Sequence, residues 1–359
     1  MPREVSKINR RTFVKLASGT AAMISAGTGK LRAQNPPGRP ISIDMHTHWI
    51  PEAYRKVMVE LAGDPFDSNP LNFDLDKRCK WMDQHGVQMH LLTISGRMPW
   101  QWVPPDVGAS LARILNDAAV EAHTAYPDRF VAGIEMSIRD PQLALKELNR
   151  MAGKPGMRAV HLPNSFEGKD YLFEPAYAPI LARCEELGYP LLFHPLDGDV
   201  NYYSKARLGD PVSLDANLIN TLGFPFEHAT TAAKFIITGT LDRYPKLEIV
   251  LPHSGGVFPY IAGRMHHEYA ATAARGELKL RHSFPEYIRR FHYDTLAYYP
   301  ETLRFLIKKV GADRVVVGTD NYAIMDVEYP NALVEQLKLP PADLDRILRG
   351  NAMRLLNLS

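Results

Sequence analysis

Between residues 41 and 318, short runs rich in Val, Ile, Leu and Phe return eight times, each bounded by turn residues and separated by longer stretches with helical spacing. The runs are Ile41 to His46, Gln88 to Ile94, Phe130 to Met136, Arg158 to Leu162, Pro190 to His194, Leu247 to Pro252, Phe291 to Thr295 and Arg314 to Gly318. Between them lie stretches such as Pro141 to Ala152, with Leu143, Leu145, Leu148 and Met151 on one face, and Pro175 to Leu187, with Tyr177, Ile180, Leu181 and Cys184. This alternation predicts an α/β protein with a parallel sheet, and eight strand–helix pairs close most simply into a (β/α)₈ TIM barrel. An open doubly wound sheet is the competing arrangement. In a barrel the active site lies at the carboxyl ends of the strands. A segment from Leu196 to about Pro225, holding Tyr202 and Tyr203, reads as a loop region over that mouth.

The histidines give this map a function. His46 and His48 end the first strand two residues apart, so the strand period of two sends both to one face. His194 ends the fifth strand, His253 the sixth, and Asp320 follows the eighth. All five side chains are expected at one mouth of the barrel, and neutral imidazoles with a carboxylate suit zinc and similar divalent ions. Singly, each has a plainer explanation as a hydrogen-bonded core residue. In combination, at the ends of predicted strands, they read as a metal constellation.

Composition excludes other classes. A net charge of +2, with 23% charged residues, leaves no basic excess to follow a phosphate backbone, so no nucleic-acid partner is expected. Cys79 and Cys184 are too few for a disulfide framework and read as core or surface thiols.

Residues 1–34 read differently from the rest. Arg3 and Lys7 precede Asn9-Arg10-Arg11-Thr12-Phe13-Val14-Lys15, and small, weakly apolar residues follow from Leu16 to Gly27. This resembles a twin-arginine export signal, with an amphipathic basic helix as the plainer reading. The apolar part is shorter than the roughly 20 residues a spanning helix needs. The expectation is therefore a periplasmic or secreted protein with no stable membrane anchor after processing near Ala33 or Gln34. Residues 35–40 would link it to a barrel domain at 41–359.

The motifs Ile43-Asp44-Met45-His46-Thr47-His48 with Pro51, Phe193-His194-Pro195, Pro252-His253-Ser254-Gly255-Gly256 with Pro259, and Gly318-Thr319-Asp320 resemble the amidohydrolase-2 family of the amidohydrolase superfamily. Within it they are most similar to the branch of aminocarboxymuconate-semialdehyde decarboxylase. The resemblance runs from about Ile41 to Asn351-Ala352-Met353-Arg354-Leu355-Leu356. It implies one zinc ion held by His46, His48, His194 and Asp320, with His253 as catalytic base. Binuclear relatives carry a modified lysine after the fourth strand, where this chain has Val160-His161-Leu162-Pro163-Asn164, so one metal is implied. Arg264 matches an arginine that dimeric members lend to the neighbouring subunit's site to hold a substrate carboxylate. A homodimer is thereby implied, while a solvated helix arginine is the plainer reading. The branch's other carboxylate-binding arginine has no clear counterpart near Asn72-Phe73-Asp74. Asn321-Tyr322-Ala323 and Leu196 also depart from the pattern, which leaves the substrate open.

Two reactions suit such a site. In non-oxidative decarboxylation, the favoured reading, the ion anchors an unsaturated or aromatic carboxylic acid while His253 moves a proton. In hydrolysis of an ester, lactone or amide, an activated water attacks the carbonyl and His253 or Asp320 shuttles the proton. A third possibility, a binding protein that has lost catalysis, conflicts with the retention of all five polar positions.

Overall fold

The protein is described by a computed structural model covering residues 41–62, 69–94, 98–196, 218–321, 327 and 329–358. The expected export segment and linker, and most of the expected loop after the fifth strand, lie outside these residues.

Eight parallel strands form one sheet in sequence order, in agreement with the expected (β/α)₈ barrel. They are β1 (Ser42–His48), β2 (Val87–Thr93), β3 (Phe130–Glu135), β4 (Met157–Pro163), β5 (Leu191–His194), β6 (Ile249–Leu251), β7 (Phe291–Asp294) and β8 (Val315–Val316). All eight begin and end within two residues of their expected limits. The sixth and eighth are shorter than the apolar runs containing them, because the chain leaves the ladder into turns before the polar strand ends.

The chain divides into two compact units, residues 1–158 with 319–328, and residues 159–318 with 329–359. In the first, β1 is buried along its whole length, and β2 pairs with it through a register shift between Asp44 and Thr47. This irregularity replaces the strict alternation expected of the strand. After β1 comes α1 (Glu52–Ala62), and before β2 lies α2 (Leu75–His85). The α2 helix starts where the Asp74 carboxylate accepts the Lys77 N–H and stops at Gly86, whose φ of 71° places it in the left-handed region. The long α3 (Pro105–Ala125) precedes β3, and α4 (Pro141–Met151) follows it, capped by Asp140. A buried cluster joins them: Asn116 on α3 donates to Glu147 on α4 and to the Glu135 carbonyl.

In the second unit, α5 (Ala178–Leu187) ends at left-handed Gly188. Where the sequence was expected to remain loop to about Pro225, a π-turn at Ile219–Gly223 already leads into α6 (Phe224–Ile237). Pro225 at the first turn is compatible with a helix start, where no intrahelical N–H is needed. The remaining long helices are α7 (Phe258–Ala274) and α8 (Pro300–Val310). Phe235 of α6 packs edge-on against Phe193 and Phe291 of the strands, and Phe258 of α7 also meets Phe291. All four rings are buried, each contributing about 1.5–3 kcal/mol by leaving water. Both cysteines are free and buried, one in each unit, and burial pushes the Cys79 thiol up to about 11 and the Cys184 thiol up to about 12. Among the described residues, no helix is long and apolar enough to cross a membrane.

Candidate metal centre

At the end of β1 the two histidine rings lie edge to face, with centroids 5.1 Å apart. The segment after β8 runs beside them: the N–H groups of Thr319 and Asp320 donate to the His46 carbonyl, at 3.3 and 2.9 Å. His48 N–H donates in turn to the Asn321 carbonyl, and Thr47 bridges Asn321 in parallel. This pairing holds Asp320 with φ 59°, a conformation costly for a residue with a side chain. Its carboxylate is thereby placed with Oδ1 2.8 Å from His48 Nε2 and 3.4 Å from His46 Nε2.

Behind these groups sits a buried polar support that the sequence analysis did not single out. Asp44 Oδ1 accepts the His46 backbone N–H, and Oδ2 accepts the Thr319 hydroxyl. Burial pushes the Asp44 carboxyl up to about 7, against those hydrogen bonds and the nearby positive groups. Fully buried Arg78 of α2 donates from Nη2 to the His48 carbonyl at 2.7 Å and from Nε to His90 Nδ1 at 3.0 Å. Burial, with Arg78 beside it, holds His90 well below the usual imidazole range, so it is neutral with its proton on Nε2. The spacing Asp44-x-His46 on one strand was the available sequence signal. Arg78 offered none, since a helix arginine is ordinarily solvated.

In the second unit, His194 ends β5, and its Nδ1 donates to the Pro195 carbonyl 2.9 Å away, which fixes the ring as the Nδ1–H tautomer when neutral. His253 opens a turn in which His253, Ser254, Gly255 and Gly256 all have positive φ. The buried carboxylate of Asp294, at the end of β7, holds this turn by accepting the N–H groups of His253, Ser254 and Leu296. The strain is therefore offset by charge-assisted hydrogen bonds. His253 lies 5.4 Å from His194 between ring centroids, and its Nδ1 is 2.8 Å from Nε2 of His228 on α6. His228 was missed because it falls just beyond the segment read as loop. Arg264 is exposed on α7.

Among the described residues, His46 and Asp320 of the first unit and His194 and His253 of the second could hold a metal ion, each offering one ligand atom. Three imidazoles and a carboxylate are a donor set for a divalent transition metal, and the tautomer imposed on His194 suits it. His48 joins the group through its hydrogen bond to Asp320 rather than as one of these four.

The family model described as amidohydrolase matches residues 43–358. The chain belongs to the amidohydrolase family. It is 30% identical over 296 residues to gamma-resorcylate decarboxylase of Rhizobium sp. (strain MTP-10005), covering 79% of this chain and 87% of that one. Over 344 residues it is 26% identical to 2-amino-3-carboxymuconate-6-semialdehyde decarboxylase of Dictyostelium discoideum, covering 89% of this chain and 92% of the relative. A crystal structure of dihydroxybenzoic acid decarboxylase from Polaromonas sp. JS666, with bound manganese and the inhibitor 2-nitroresorcinol, superimposes with a TM-score of 0.73. That pair is 24% identical, with 89% of this chain and 98% of the other covered. This amidohydrolase is thus a metalloenzyme whose relatives are decarboxylases, and the carboxy-lyase reading prevails over the hydrolase one.

Proposed function

We propose that this amidohydrolase removes carbon dioxide, without oxidation, from an aromatic or unsaturated carboxylic acid. The observation that carries the reading is the meeting of a buried His/Asp donor group with relatives that decarboxylate resorcylate and carboxymuconate acids. In this reading His46, His48, His194 and Asp320 hold one divalent ion, zinc by its nitrogen-rich donors. When bound, the ion supplies an anchor and an electrostatic sink for the acid's oxygens. His253, itself a possible donor, is kept in this reading for moving the proton, with Asp320 assisting. The C–C bond to the carboxylate breaks, its electron pair stays on the carbon that carried it, and a proton from His253 takes the vacated position.

Arg264 is exposed on α7, which supports the reading that it serves a neighbouring subunit's site in a homodimer, gripping a substrate carboxylate. Residues 1–34 act as a twin-arginine signal that delivers the enzyme to the periplasm or beyond. Elemental analysis of the purified protein tests the centre. One zinc per chain is expected; two ions per chain would overturn the mononuclear reading, and a stoichiometric different metal would overturn zinc.

A further inference from the structure

The start of α6 is clamped to the turn that carries His253. Val257 N–H donates to the Pro225 carbonyl at 3.3 Å, and a Cβ at Gly256 would collide with that carbonyl, so only glycine permits the approach. Phe224 stacks on the His253 ring, with centroids 6.3 Å apart and planes 25° from parallel. Within the next helical turn comes His228, with no exposed surface, whose Nε2 is 2.8 Å from His253 Nδ1. On its far side Asn164, just after β4, places Nδ2 3.2 Å from His228 Nδ1 and 2.8 Å from the Thr231 hydroxyl oxygen. A histidine and an amide thus stand in line behind His253.

We propose that His228 is the positioning residue of His253. Resting on the decarboxylase reading, this assigns the proton transfer to His253 Nε2, because Nδ1 is occupied by His228. In the transfer, the Nε2 proton of the His253 imidazolium goes to the carbon that keeps the electron pair of the broken C–C bond. Carbon dioxide leaves, His253 becomes a neutral imidazole, and water restores its proton. The imidazolium carries a second N–H at Nδ1, which His228 Nε2 accepts. For His228 Nε2 to accept, the proton of His228 sits on Nδ1 and faces Asn164, whose amide presents its oxygen there after a flip of the side-chain amide. A histidine partner also orients His253 without adding a carboxylate beside it.

The experiment compares His228→Ala and His228→Gln with the parent, measuring metal content, kcat, KM and the ring nitrogen signals of His253 by ¹⁵N NMR. The His253 signals are identified by their loss in His253→Ala. His228→Ala is expected to lower kcat about 10- to 100-fold, as loss of an orienting partner does, with KM and metal content held. His228→Gln, whose amide can reach Nδ1, should recover part of the loss. In substrate-free protein the His253 Nδ1 resonance should move in His228→Ala. An unmoved resonance, loss of metal together with rate, or no recovery by His228→Gln would overturn the assignment. If His228→Ala does not fold, the Nδ1 resonance of His228→Gln decides in the same way. Failure of the parent to release carbon dioxide from any acid would reject the decarboxylase reading, while the nitrogen signals would still decide the contact.

Discussion

A histidine's chemistry depends on what its second nitrogen touches, and His194 and His253 differ there. His194 Nδ1 is spent on the Pro195 carbonyl, as the proposed ligand role asks, whereas His253 Nδ1 faces another histidine, as the proposed proton transfer asks. Replacement by alanine should separate the two roles. His46→Ala or His194→Ala is expected to abolish metal retention on elemental analysis. His253→Ala should keep its metal while losing about 10² to 10⁴ in rate, the usual worth of a positioned acid or base. Metal loss from His253→Ala would make it a ligand instead.

Strand ends oriented by polar partners recur at the opposite end of the same strands. Glu248 precedes β6, and its carboxylate meets His292 of β7 at 2.9 Å and Arg354 at 2.8 Å. Partial burial raises the Glu248 carboxyl, but hydrogen bonds and charge from His292 and Arg354 outweigh it, bringing it down to about 2. A carboxylate with a depressed folded pKa stabilises above its unfolded value of 4.5 and loses that contribution as pH falls from 4.5 toward 2. Burial holds His292 below the usual imidazole range, which acts in the same direction. Glu248→Gln should therefore cost about 1–2 kcal/mol at neutral pH, the scale of hydrogen bonds to a charged group. Denaturant unfolding should show the gap from the parent narrowing between pH 5 and pH 3; a constant gap would mean the carboxylate charge is immaterial. Such partnerships explain what was legible beforehand. Strand positions, His46, His194, His253 and Asp320 could be read because apolar runs mark strands and polar residues at their ends stand out. Asp44, Arg78, Asp294 and His228 could not, because their roles depend on contacts between residues distant in sequence. The helix at α6 was hidden because a proline–phenylalanine run with flanking glycine reads as a break, whereas Pro225 occupies the first turn.

At the scale of the whole molecule the predictions concern assembly, destination and reaction. If Arg264 is lent across a dimer, mixing inactive His253→Ala and Arg264→Ala chains should restore activity, since one hybrid site then holds both intact residues. Absence of recovery despite demonstrated subunit exchange would confine Arg264 to its own chain. Changing Arg10 and Arg11 to Lys keeps the charge but should strand the protein in the cytoplasm on fractionation, because the signal is read by a receptor; normal export would argue against the route. The measurement that tests the central claim most directly follows the carboxyl carbon. Metal-loaded enzyme is incubated in D₂O with ortho-hydroxybenzoic and muconate-type acids labelled with ¹³C at the carboxyl group. One equivalent of ¹³CO₂ is predicted for each product molecule, with deuterium on the carbon that lost it and no release after chelation. Turnover that retains the labelled carboxyl, or cleaves esters, lactones or amides in parallel assays without releasing CO₂ from any acid, would contradict the account.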